Sequence, residues 1–291
     1  MMRLLVTLAA STAISVIATS AALADPSGFV ALSGGLDNLV VDFGGGSETA
    51  DGSALQFLAS GVYMFTPVLG AQGDIRAAFR TYDQGGMEAD ISGLDGAMHG
   101  FYREQDQFLV GAFFQFGGDQ LSGGPFDIDV SRNYAGAEGQ VYLDNLTLYG
   151  QVGLQQYEWN QSGSGISMNG WFGSLEARYF LTPDLRIEAH VGVSSYDLDF
   201  IETITSTTVN AGVGAEYKLE SLPISLFATY DFYSTSYDYS GSSAPTFDEH
   251  RLMVGVKVAI GEDSLLERDR SGATLKPVEV PYQTPFSPIV P

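Results

Sequence analysis

From Leu185 to Ser194 the chain alternates at every step. Leu185, Ile187, Ala189, Val191 and Val193 are apolar, while Arg186, Glu188, His190, Gly192 and Ser194 are polar or lack a side chain. Successive side chains of a strand point to opposite faces, so this segment carries oil on one face and ions on the other. The pattern recurs. Ile75, Ala77 and Phe79 oppose Gln72, Asp74, Arg76 and Arg80, and Ala135, Ala137, Val141 and Leu143 oppose Tyr134, Glu138, Gln140 and Tyr142. Trp171, Leu175, Ala177 and Tyr179 oppose Ser174, Glu176 and Arg178, and Val209, Ala211, Val213 and Tyr217 oppose Thr208, Asn210, Glu216 and Lys218. The last run sets Leu252, Val254, Val256, Val258 and Ile260 against Arg251, Gly255 and Lys257. Such a sheet must cover its oily face with another layer or turn it toward lipid.

Composition argues against a covering layer of helices. Charged residues are 16% of the chain, Lys218, Lys257 and Lys276 are its only lysines, and Gly (35), Tyr (15) and Phe (18) are abundant. That is material for strands and tight turns. Short turn signals (65–70, 143–146, 181–185, 219–223) alternate with longer Gly- and Ser-rich connections (42–53, 117–127, 159–165, 236–249). Short turns at one end and long loops at the other are the asymmetry of a transmembrane barrel. A large soluble sandwich or propeller is the competing architecture.

The expectation is therefore an all-β, up-and-down antiparallel transmembrane barrel of twelve strands, over 27–40, 53–66, 69–82, 88–102, 106–118, 128–143, 146–158, 167–181, 185–198, 205–219, 222–236 and 249–261. Asp95 falls out of phase in 88–102, so a bulge is expected there; without it the count is ten. An even count places both ends of the barrel on the short-turn side. Aromatic residues near strand ends (Tyr63, Tyr82, Tyr142, Tyr149, Tyr157, Trp159, Tyr179, Tyr217, Tyr237) are expected to form interfacial girdles.

The first residues set the compartment. Arg3, the apolar run from Leu4 to Ile17 and the Ala22-Leu23-Ala24 end make residues 1–24 a cleavable signal peptide, so the mature chain begins at Asp25. There are no cysteines, which excludes disulfides and thiolate metal sites. A net charge of −22 makes nucleic acid an unfavourable partner, because the phosphates would repel it.

With its leader, alternating strands, Thr-Pro-Asp (182–184) and Asp-Asn (144–145) turns and acidic, Gly/Tyr-rich chain, the protein resembles the outer-membrane β-barrels of Gram-negative bacteria. Its nearest likeness is to the porin and opacity-type surface proteins of alphaproteobacteria, over about Asp25 to Glu262. The resemblance implies an integral outer-membrane protein with periplasmic N- and C-termini. It also implies the barrel assembly machinery and outer-membrane lipid, including lipopolysaccharide, as partners. Opacity-type barrels are usually eight-stranded, and here the last strand ends at Ile260-Gly261 rather than at a terminal aromatic residue. Residues 263–291, rich in proline and without alternation, are expected to be a disordered periplasmic tail, with a plug in the lumen as the alternative.

The inward face is expected to hold Asp74, Arg76, Arg80, Glu138, Glu176, Arg178, Arg186, Glu188, His190, Glu216, Lys218, Asp231, Arg251 and Lys257. Nearly balanced, this set reads either as a ladder of ion pairs or as a charged constriction. Acids outside it, Asp37, Asp119 and Glu249 among them, are assigned to solvated loops or loop-side strand ends. No spacing resembles a calcium loop, so no metal and no cofactor is expected. Nor is an enzyme, because Ser194 is too far along the strand from His190 to be activated directly, and His99 and His250 have no serine beside them in sequence. The function expected is a passive, porin-like channel for small hydrophilic solutes. The rival is a closed structural or surface barrel for adhesion, envelope integrity or lipid contact. The apolar band leaves room for a homo-oligomer.

Overall fold

The computed structural model describes residues 27–42, 45–84, 87–122, 128–161, 164–199, 203–239 and 242–279. Residues 1–26, which include the expected signal peptide, and residues 280–291 lie outside them. The strands are β1 (Ser27–Asp42), β2 (Ser47–Met64), β3 (Leu69–Gln84), β4 (Met87–Glu104), β5 (Phe108–Ser122) and β6 (Ile128–Leu143), followed by β7 (Leu146–Gln161), β8 (Ser164–Thr182), β9 (Leu185–Asp199), β10 (Thr203–Lys218), β11 (Ile224–Tyr239) and β12 (Ser242–Ile260). Each pairs antiparallel with its neighbours in sequence, and β1 pairs with β12 from Gly28↔Ile260 to Asp42↔Thr246 to close the barrel. Closure leaves no edge strand with unpaired backbone groups.

The barrel is inverted relative to a soluble protein. Leu154 is 70% exposed, Leu175 67% and Val152 60%, whereas Asp37, Arg178 and Glu216 are buried inside. A continuous apolar surface of this kind faces lipid. The expected faces hold in every strand described above. In β4, Asp95 is buried in phase with His99 and Arg103, between the outward Leu94 and Met98. Its register against β3 and β5 is unbroken, so no bulge is needed.

Two expectations about the barrel ends change. The long connections are strand over most of their length: β2 already begins at Ser47 and β12 at Ser242. Strands of 15 to 19 residues exceed the ~9–11 that cross a bilayer, so the sheet continues beyond the membrane at that end. The short-turn end carries Asp106, Asp144 and Ser221 at φ of 58°, 47° and 61°, the left-handed conformation that closes tight hairpins. The Asp106 turn, between β4 and β5, joins those read from the sequence.

The girdle is also redistributed. Tyr63, Tyr179 and Tyr217 point outward near the short turns, joined by Phe65, Tyr102 and Phe108. Tyr82, Tyr142, Tyr149, Trp159 and Tyr237 are instead buried, and Tyr157 is half-buried among them. At the other end, inward Leu39, Val41, Leu121, Ile128, Trp159 and Phe247, with neighbours from most strands, form a buried apolar belt.

The segment after β12 does not form the expected disordered tail over its described residues. At Gly261 (φ 106°) the chain leaves the wall in a conformation that favours glycine. Helix α1 (Leu265–Ser271) follows, capped by Ser264, whose hydroxyl accepts from Glu267 N–H at 3.1 Å, while Glu267 Oε2 accepts from Asp263 N–H at 2.8 Å. Gly272 to Glu279 then runs extended into the lumen, where Ala273, Thr274, Leu275 and Val278 are buried.

Candidate functional site

The candidate site is the lumen, built by the inward positions of all strands and by the C-terminal segment threaded between them. Every residue expected on the inward face is there. The wall charges form separate networks. Near the apolar belt, Asp37 accepts from Arg80 (3.3 Å) and Arg251 (3.2 Å), and Arg251 also binds Glu249. Asp95 bridges Arg76 (2.8 Å) and Arg132 (2.9 Å), and Arg132 reaches Asp119. His99 lies between Asp74 (3.0 Å) and Glu138 (2.7 Å). Arg186 joins Glu188 and Glu216, both at 2.9 Å, and Lys257 meets Glu216 at 2.8 Å. Lys218 is buried on this face without an ion pair among the described residues. A buried charge without a partner is costly, so these pairings are a condition of placing ions in the barrel at all.

Sequence reading missed Asp37, Asp95, His99, Arg103, Asp119, Arg132 and Glu249 as members of this face. Their signal was parity: Glu249 lies two residues from Arg251, and Asp119 four from Gln115, so each shares its neighbour's face.

The threaded segment is read through its backbone. The Gln72 amide accepts from the Thr274 and Leu275 N–H groups, both at 3.1 Å, and donates to the Leu275 carbonyl at 2.7 Å. The Gln115 amide accepts from Val278 N–H at 2.6 Å and donates to its carbonyl at 3.3 Å. Gln151 donates to the Lys276 carbonyl at 2.9 Å, Arg76 to that of Val278 at 3.2 Å, and Arg103 to those of Ser271 and Gly272. An amide carries a donor and an acceptor, so a ladder of glutamines pairs an extended backbone much as a neighbouring strand would.

Side chains add specificity. Arg178 Nη1 donates to Asp269 (2.8 Å) and to Thr274 Oγ1 (2.7 Å), and Arg268 meets Glu216 at 2.6 Å. Lys276 Nζ lies 2.7 Å from Glu176 and 3.3 Å from Glu188. Leu275 packs among Phe101, Leu109, Tyr142 and Tyr149, and Val278 among Phe113, Tyr134 and Phe172. Burial disfavours the Lys276 ammonium, but the two carboxylates outweigh it and hold its pKa above the ordinary lysine value. Burial likewise works against the Asp269 carboxylate, and Arg178 outweighs it, so its pKa lies below the usual range.

Two cavities of mixed polar and apolar lining, of about 70 and 150 Å³, both touch Lys276, Pro277 and Glu279. The smaller has room for several waters, and the larger for a small molecule. Among the described residues the histidines have no serine partner: His99 and His190 meet carboxylates, and His250, outward-facing, meets the Tyr230 hydroxyl at 2.8 Å.

No protein-family profile matches the chain. No curated protein does either. Solved structures do. The translocator domain of the autotransporter NalP from Neisseria meningitidis is similar over 87% of this chain and 95% of its own, at 14% identity and a TM-score of 0.53. An outer membrane channel from Pseudomonas putida F1 is similar over 80% of this chain and 96% of its own, at 11% identity and a TM-score of 0.58. These likenesses carry the barrel fold.

Proposed function

We propose that this protein is an integral outer-membrane barrel of the porin class, a route for small hydrophilic solutes that its own C-terminal segment closes at rest. The observation that carries the reading is the segment itself, which enters at the short-turn rim and reaches Arg76 and Gln115, near the middle of their strands. It is bound by hydrogen bonds and ion pairs that water can replace as well as by the apolar contacts of Leu275 and Val278, and cavities lie along Lys276 to Glu279. The wall charges are largely paired among themselves, so withdrawal of the segment would leave a narrow, weakly ion-selective passage. In this reading both ends of the barrel are periplasmic, and the wall meets outer-membrane lipid after insertion by the barrel assembly machinery.

A second reading, a permanently closed structural barrel, is favoured by the apolar belt, which buries the opposite mouth with oily side chains. Single-channel recordings of the refolded full chain and of a chain ending at Glu262 separate the two. Discrete steps from the shortened chain with silence from the full chain support the plug. Silence from both, with folding confirmed by a heat-modifiable gel shift, leaves the structural barrel; steps of equal size from both overturn closure at rest.

A further inference from the structure

We infer that the tip of the threaded segment completes a zinc site with the barrel wall. His190 on β9 and Asp231 on β11 both stand opposite Gly212 on β10, in one row across three strands. At that row the middle strand has no side chain. A Cβ on Gly212 would collide with the His190 ring and the Asp231 carboxylate, so the glycine is what lets the two meet. His190 Nε2, itself buried, meets Asp231 Oδ1 at 3.2 Å. Glu279, from the segment, brings a carboxylate oxygen to the same point, and the ligand atoms of all three lie within 4.8 Å of one another.

One imidazole and two carboxylates suit zinc, which binds such ligands at about 2.0–2.2 Å and leaves a fourth position for water. Tetrahedral ligands at that distance are about 3.4 Å apart. The wall pair already has this spacing, and the exposed Glu279, whose carboxylate lies within 4.8 Å of both, would close in on the metal. The neighbouring arginines are committed elsewhere, Arg76 to Asp95 and Arg251 to Asp37 and Glu249. A divalent cation would then take over the two carboxylates from a proton on His190. The water it would need is available, since one flanking cavity reaches His190, the other Asp231, and both Glu279. Because two ligands are on the wall and one is on the segment, zinc would staple the plug in place.

The test is calorimetric titration of zinc chloride into the refolded full chain in detergent, which requires no conduction and so stands apart from the channel reading. One equivalent is expected to bind. Binding should weaken at least tenfold in Glu279→Gln, on the segment rather than in a strand of the barrel, and in His190→Ala, while His250→Ala should bind as the native chain does. Failure of the native chain to bind, or equal binding by Glu279→Gln, overturns the staple. Zinc binding in a protein whose shortened form never conducts would retain the staple and reject the channel.

Discussion

Arg178 shows how much a single lumen residue decides. It is 1% exposed, lies over the Tyr149 ring, and joins Glu176 on its own strand to Asp269 and Thr274 of the plug. Removing one partner of a buried ion pair costs about 3–5 kcal/mol, mostly because the other charge is stranded. Arg178→Met is therefore expected to undock the segment while the barrel stays closed as a sheet. Trypsin should then cut after Arg268 and Arg270 at least about a hundredfold faster, at 1.4 kcal/mol for each factor of ten; a rate equal to the native chain's would show that Arg178 does not hold the plug. That Arg178 faces inward is legible from the sequence, since it alternates with Ala177 and Tyr179. Its plug partners are not, because parity gives a face and says nothing about what a distant segment brings to it. The same parity already set Tyr142 beside Gln140 on the polar face and, applied to Tyr82, places it with Arg80. The girdle expectation erred by weighing position along the strand above face.

At the scale of the element, the strands were legible and the plug was not. Alternation is a local signal repeated in each strand, and it survives wherever one face meets lipid. The Asp95 run looked irregular because glycines leave gaps in it and because apolar Ala89, Ile91, Ala97 and Phe101 share the inward face with Asp95 while Glu88 and Asp90 face outward. The segment after β12 has no period of two, and its prolines read as disorder. The capping residues Ser264 and Glu267 were nevertheless in view, as were Leu265, Arg268 and Asp269 at spacings that share one helical face. What sequence does not reveal is the turn inward, made by Gly261. At φ 106° a β-branched residue is strained by about 1–3 kcal/mol. Gly261→Val should thus bias the segment out of the lumen without deleting it, read as faster cleavage at Arg268 and Arg270. An unchanged digestion pattern would mean that lumen contacts, rather than the turn, direct the segment.

Over the whole molecule, wall and plug form one equilibrium linked to protons. Arg178 holds the Asp269 carboxyl below its ordinary pKa of 3.8 despite burial, so docking is favoured by ionised Asp269 and draws on this above pH 3.8. That contribution is lost as the pH falls through the lowered value. Lys276 acts in the opposite sense: its pKa is raised above 10.5, so its contribution is complete below that pH and disappears only as alkali passes the raised value. Between these limits neither group titrates, so neither makes docking depend on pH there. A full chain that is silent near neutrality is therefore expected to begin conducting in discrete steps below pH 3.8. The chain ending at Glu262 should show open steps throughout, which separates loss of the plug from acid damage to the wall. Asp269→Asn, unable to ionise, should conduct already at neutral pH. Silence of Asp269→Asn at neutral pH, with the chain ending at Glu262 conducting, would mean that Asp269 does not hold the plug, and that the apolar belt at the opposite mouth is the true closure.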